Sequence, residues 1–196
     1  MKKRLAGEQV ALSQYLETLL NDESSRRTGA MARPVGPFEC LAFHVRGLMF
    51  AILRADSSGV MTDPSSLRHV DRKNPDLRAH DEPWRLGAFR YRDSEVMAVD
   101  IAGIVIPPDV RAELADPSSA PVAVILVEEG HIGIVCDSVP VAITVAPDEV
   151  CWPTALNSRP WLAGMILKRC ALLDVPALCA GFISTRSQGN SIRSGG

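Results

Sequence analysis

No apolar run in the chain approaches the roughly 20 residues that cross a bilayer as a helix, so membrane insertion is not expected. Charge of one sign is also lacking. With 21 basic against 23 acidic residues and a formal net charge of −2, there is no electrostatic footprint for nucleic acid or an anionic membrane surface. Aromatic residues are scarce, two Tyr, five Phe and three Trp, which removes the stacking platforms of a small-barrel nucleic-acid binder. No two cysteines have CxxC spacing. The five present, Cys40, Cys136, Cys151, Cys170 and Cys179, are odd in number, scattered and mostly set among apolar neighbours. They read as small buried side chains kept reduced, rather than as a disulfide framework or zinc site. The opening MKKRLAGEQV is basic but has no apolar stretch behind it, so no secretory signal is expected and the protein reads as cytoplasmic.

What is present is β-rich. Hydrophobic residues make up 46% of 196, enough for a real core. From Pro121 to Val145 the chain reads PVAVILVEEGHIGIVCDSVPVAITV. Its first run is apolar at both alternating sets, Val122, Val124 and Leu126 and then Ala123, Ile125 and Val127, as in a strand buried from both sides. Glu128, Glu129 and Gly130 break that run, and β-branched residues resume from His131 to Val135. Val139 to Val145 offers a third strand, so the segment predicts an antiparallel meander.

Elsewhere the same alternation recurs. FECLAFHVRG and LMFAIL predict a first hairpin turning at Gly47, and Trp84 to Ile106 a second, broken at Arg92-Asp93-Ser94-Glu95. WLAGMILKRCALLDV predicts another, turning at Lys168-Arg169, with a short helix at PALCAGF begun by Pro176. DVRAELADPSS is a polar turn or helical fragment. Residues 8–20, EQVALSQYLETLL, form an amphipathic helix through Val10, Leu12, Leu16, Leu19 and Leu20, and fit packing on their own domain or docking on a partner equally well. A Ser-, Arg- and Pro-containing linker follows to residue 37. Residues 63–83 make a long polar connection, and the tail from Ser184 is expected to be disordered.

Candidate chemistry is thin. His44 lies alone in a strand pattern, as structural histidines do. His69 and His80 sit beside Asp71 and Asp81, but no third ligand recurs at fixed spacing, so no metal is expected. Cys136 with His131 as base would make a thiol enzyme, yet residues five apart on one strand point to opposite faces. The patch Arg85, Arg90, Arg92 is the only support for a nucleic-acid reading.

Nine or ten short strands in two groups, before and after Pro117-Ser118-Ser119, suit two small five-stranded barrels. The order of the motifs resembles a CheW-like domain, the adaptor of bacterial chemotaxis, from about Phe38 to Phe182. Ile132-Gly133-Ile134-Val135-Cys136-Asp137-Ser138-Val139 stands where that family has V/I-G-I/L-V-V-D-x-V, and Trp161-Leu162-Ala163-Gly164 with Leu173-Asp174-Val175 resembles its closing pattern. Upstream, Gly87, Arg92 and Asp100 match G-x-x-N-L-R-G and V/I-x-P-V-x-D-L. Arg90, Asp93 and Met97 replace Asn, Gly and Pro, and Ser57-Ser58-Gly59-Val60 departs from V-x-E-I.

The resemblance implies an all-β protein with a few short helices, built as two five-stranded SH3-like barrel subdomains. Residues 1–37 would be the helix and linker, 38–182 the domain, divided at about 116/117, and 183–196 the disordered tail. It implies a non-catalytic, cofactor-free adaptor coupling a chemoreceptor to a histidine kinase regulatory domain, with no nucleic acid and no membrane insertion. The alternative is an auxiliary member serving another regulator, for example in pilus-based motility. Partner contact is expected at Arg92, with Asp93, Arg90, Val96, Met97 and Ile101 around it.

Overall fold

The computed structural model describes residues 33–62, 84–113, 121–153, 159–180 and 182. The expected N-terminal helix, the connection at 63–83 and the tail from 183 lie outside the described residues.

Arg46 and Gly47 both take positive φ, 52° and 78°, which turns β1 (Phe38–Val45) back onto β2 (Leu48–Leu53) in two residues. Three further hairpins also turn through residues of positive φ. β4 (Arg85–Tyr91) and β5 (Ser94–Val99) are joined through Arg92, β6 (Ala123–Val127) and β7 (Ile132–Cys136) through Glu128–Gly130, and β10 (Leu162–Ile166) and β11 (Cys170–Leu173) through Leu167 and Lys168. Single short strands fill the gaps: β3 (Gly59–Met61), β8 (Val141–Val145) and β9 (Val150–Cys151). Helices are short, Ala102–Val105, Pro108–Glu113 and residues 175–180.

These strands form two sheets, in the orders β8-β1-β2-β11-β10-β9 and β3-β6-β7-β5-β4. The fold is all-β with two sheet subdomains, six- and five-stranded rather than two of five. The sheets also do not divide the chain at 116/117. The first takes β1 and β2 from before that point and β8–β11 from after it, and the second takes β3–β5 from before and β6–β7 from after. The expected three-strand meander fails for the same reason: β8 leaves β7 and crosses to pair with β1. Two pairings, β11 with β2 and β5 with β7, are parallel, which is open to them because a long crossover separates the strands in sequence.

The two orders superimpose as patterns. A hairpin (β1–β2, β6–β7) carries an antiparallel outer neighbour (β8, β3) on one side and, in parallel, the second strand of another hairpin (β10–β11, β4–β5) on the other. Each of these last hairpins opens on Trp-x-x-Gly, Trp84 to Gly87 and Trp161 to Gly164, with a register shift beside the glycine. Each ends on a buried aspartate whose N–H donates to that tryptophan's carbonyl, Asp100 to Trp84 at 2.7 Å and Asp174 to Trp161 at 2.8 Å. Each aspartate Oδ1 then accepts an N–H of the following helix, from Ala102 at 3.1 Å and Ala177 at 3.0 Å, and so caps it. The chain is thus two similar units that exchange hairpins.

Exchange explains why the strands are apolar on both faces. Leu41, Phe43 and Val45 of β1, Phe50 and Ile52 of β2, Ile125 and Val127 of β6 and Ile132 and Ile134 of β7 all enter one core shared by the two sheets. Alternate residues face separate cores, Cys40, Ala51 and Leu172 within the first sheet and Val124, Leu126 and Val135 within the second. Period-2 alternation here switches between two dry environments rather than between dry and wet. Gly133 lies where β7 is crowded on its private face, since a Cβ there would stand 2.7 Å from Val124 Cγ1 and 3.1 Å from Val96 Cγ1.

Candidate functional site

The β4–β5 hairpin carries the expected contact residues except Ile101, which follows it, and alternation sorts those within it. Val96 is 1% exposed and belongs to the private core of the second sheet, and Ile101 is 0% exposed in the shared core. Neither reaches a partner in the folded protein, so both are corrected to core residues; their apolar side chains are more stable buried than wet. Arg90, Arg92 and Asp93 are exposed at the tip and outer strand of the sheet. Met97 is half-buried against the shared core, with its N–H donated to the carbonyl of exposed His131 at 2.9 Å.

The tip is tighter than its sequence suggests. Two residues, Arg92 and Asp93, separate Tyr91 from Ser94, and Arg92 takes the left-handed φ of 54° that a glycine would adopt freely. The turn fixes the Arg92 guanidinium 5.2 Å from the centre of the Tyr91 ring, within cation–π range. No ion pair joins Arg92 to Asp93 or Glu95 among the described residues. Arg90 lies directly across the ladder from Glu95. The tip thus carries two cations, Arg90 and Arg92, and two anions, Asp93 and Glu95, around the Tyr91 ring, with half-buried Met97 beside it. Ser57-Ser58-Gly59-Val60 lies on the opposite outer strand, where Ser58 N–H and Oγ both donate to the Leu126 carbonyl, at 2.9 and 3.2 Å.

A second polar cluster, not anticipated, sits where the chain passes between sheets. The Arg46 N–H donates to Asp137 Oδ2, Asp137 N–H to the His44 carbonyl at 2.8 Å, and His44 N–H to Ser138 Oγ at 3.0 Å. The Arg46 guanidinium, in a side chain only 10% exposed, reaches Asp100 Oδ2 at 3.4 Å, and its buried Nε has no hydrogen-bond partner among the described residues. This cluster pins the β1–β2 turn of the first sheet to the β7–β8 crossing and to the end of β5. His44 is thereby structural.

Three of the cysteines are held as neutral thiols. Burial pushes the Cys40 thiol up to about 11 and those of Cys170 and Cys179 up to about 12, with nearby Asp56 adding to the first and Glu128 to the last. Cys136 is fully buried, with its Sγ on the Ile134 carbonyl at 3.4 Å, while His131 is exposed. They form no nucleophile–base pair. Among the described residues no group of three or more His, Cys, Asp or Glu is placed to hold a metal ion, and no helix is long and apolar enough to cross a membrane. His69 and His80 lie outside the described residues.

Sequence reading missed one surface. Val139 and Val141 are 54% and 59% exposed, at the head of β8. The signal was present in VPVAITV, uncharged and ending a segment whose other strands are buried.

No protein-family model matches the chain, and no curated protein matches it either. Among solved structures, the crystal structure of the scaffolding protein TtCheW from Thermoanaerobacter tengcongensis matches with a TM-score of 0.50. The match spans 70% of this chain and 89% of that one at 14% identity. The fold is CheW-like. At that identity the likeness is one of backbone architecture alone.

Proposed function

We propose that this chain is a non-catalytic adaptor of a bacterial chemosensory system, working in the cytoplasm to couple a chemoreceptor to the regulatory domain of a histidine kinase. The observation that carries the reading is the architecture shared with a scaffolding CheW over 89% of that protein's length. The motifs at Ile132–Val139, Trp161–Gly164 and Leu173–Val175 run through the described strands of that architecture and support treating residues 38–182 as one CheW-like unit. The buried, weakly acidic thiols also favour binding over covalent chemistry.

Arg92 is the proposed centre of contact, with Arg90, Asp93 and Met97 around it, because they are the exposed or half-exposed members of the hairpin. Arg92→Glu is expected to leave folding intact and to weaken capture of a kinase or receptor about tenfold, as the loss of ~1.4 kcal/mol at an interface arginine would. Capture that is unchanged by the substitution removes the residue from the site. A second reading, an auxiliary adaptor serving another regulator such as one of pilus-based motility, is favoured by Ser57–Val60, where hydroxyls tied to β6 replace an apolar and acidic pattern. Purification from the native host that recovers a regulator without a chemoreceptor would select it.

A further inference from the structure

Arg33, the first described residue, is tied down. Its guanidinium donates to the Pro153 carbonyl at 3.2 Å and lies 5.7 Å from the centre of the Trp152 ring, within cation–π range. Trp152 donates its Nε1–H to the Pro147 carbonyl at 3.0 Å, and its ring stands 6.5 Å from that of Phe38. Phe38 pairs with Val145, the last residue of β8, and Pro147 lies two positions further on. The chain before residue 33 is therefore moored beside the C-terminal end of β8. The other end of that strand carries an apolar strip. Val141 is 59% exposed and Val139, two residues before it, 54%. Val141 pairs with Ala42, and Met49, 39% exposed, pairs with His44; Ala42 and His44 are two apart on β1, so Val141 and Met49 share one face of the first sheet.

We infer that residues 8–20 of the same chain cover this strip, with the stripe of Val10, Leu12, Leu16, Leu19 and Leu20 as the contact face. Tether length favours that occupant over a second copy or another protein. Twelve residues, 21–32, separate Leu20 from the mooring. Their root-mean-square span is ~19 Å, and the five residues of β8 extend ~17 Å. A span matched to its target gives the segment an effective concentration of about a millimolar, roughly a thousandfold above a free copy at about a micromolar. Charge points the same way. The linker carries Arg26 and Arg27, and the mooring is bordered by exposed Asp148 and Glu149, with exposed Glu39 of β1 opposite Thr144. A helix of thirteen residues is marginal in water unless it has an apolar surface to lie on. β8 ends its sheet order, and a covering segment is one of the devices that shield such a strand.

Hydrogen exchange of the full chain, read peptide by peptide, tests this. Amides of residues 8–20 should exchange about tenfold or more slowly than in an unstructured peptide, by a factor that does not change with protein concentration. Val141→Asp, at a position already 59% exposed, should keep the wild-type circular dichroism and speed exchange in residues 8–20 about tenfold. Val141→Ile, apolar and β-branched, should keep the slow exchange. Leu16→Asp, a change outside the described fold, should speed exchange both in residues 8–20 and along β8. A wild-type segment that exchanges at the free-peptide rate, either Asp variant without effect on it, or slowing that grows with concentration, the mark of a second copy, would each overturn the proposal. None of these outcomes bears on the adaptor reading, which partner capture tests separately.

Discussion

Replacing Asp100 by alanine should cost the fold about 4–6 kcal/mol. Its carboxylate does two jobs from a position 2% exposed: Oδ1 accepts the Ala102 N–H at the start of a helix, and Oδ2 faces Arg46 at 3.4 Å. Losing the cap costs about 1 kcal/mol. Leaving the buried guanidinium without its counter-charge costs about 3–5 kcal/mol more. With a urea slope of about 2 kcal/mol per M, the unfolding midpoint would fall by about 2–3 M. Asp100→Asn retains an oxygen for the cap and should lose about 1 kcal/mol less. Arg46→Met alone strands the carboxylate and should cost about 3–5 kcal/mol. The double variant Arg46→Met/Asp100→Asn removes both charges together with the Nε that lacks a partner among the described residues, and should return to within about 1 kcal/mol of wild type or exceed it. Urea titration of wild type, Arg46→Met, Asp100→Asn and the double variant closes a double-mutant cycle, with Asp100→Ala measured beside it. Additive costs, or an Asp100→Ala variant within about 1 kcal/mol of wild type, would refute the idea that the pair is a coupled, buried pin between the sheets.

Two other perturbations read the packing directly. Gly133→Ala puts a methyl 2.7 Å from Val124 Cγ1 and 3.1 Å from Val96 Cγ1, so it should destabilise by about 1–3 kcal/mol, measured as a lower urea midpoint with an unchanged slope. Asp56 has its carboxyl raised above the ordinary aspartate value of 3.8 by desolvation, and then by the nearby charges of Asp174 and Glu128. A raised carboxylate in the folded state holds its proton longer than in the unfolded chain, so stability is greatest below the unfolded value and falls as pH rises through the folded one. Asp56→Asn should therefore stabilise at neutral pH, with the gain vanishing below about pH 3.8. A variant that is no more stable than wild type at pH 7 would show that no repulsion is stored there.

Much of the secondary structure was legible because local rules decide it. Alternating apolar residues broken by Gly47, Arg92-Asp93, Glu128–Gly130 and Lys168-Arg169 gave all four hairpins, and Pro176 marked the terminal helix. The likeness of the two units was also written in the chain, as Trp84-x-x-Gly87 with Asp100 and Trp161-x-x-Gly164 with Asp174, but a four-residue motif among 196 residues gains meaning only when both copies prove to make the same bonds. The contact residues were harder. Arg90, Arg92 and Asp93 could be placed outside by their charge, whereas Val96 and Ile101 could not be placed inside, because residues around them are apolar on both alternating sets.

By itself, then, the sequence determined which residues extend, where they turn and that both faces of the strands must be dry; these follow from side-chain size, polarity and the few residues that tolerate a tight turn. Tertiary structure alone decided which dry face meets which core, that β8 crosses to β1, that β2 and β11 run parallel, and that Arg46 meets Asp100 across 54 positions. The physical reason is that hydrophobic burial has no direction. A strand that is apolar on both sides lowers its free energy equally in either sheet. The choice falls to contacts distant in sequence: the parallel pairings, the capped aspartates and the buried ion pair that only one arrangement of the two units can form together.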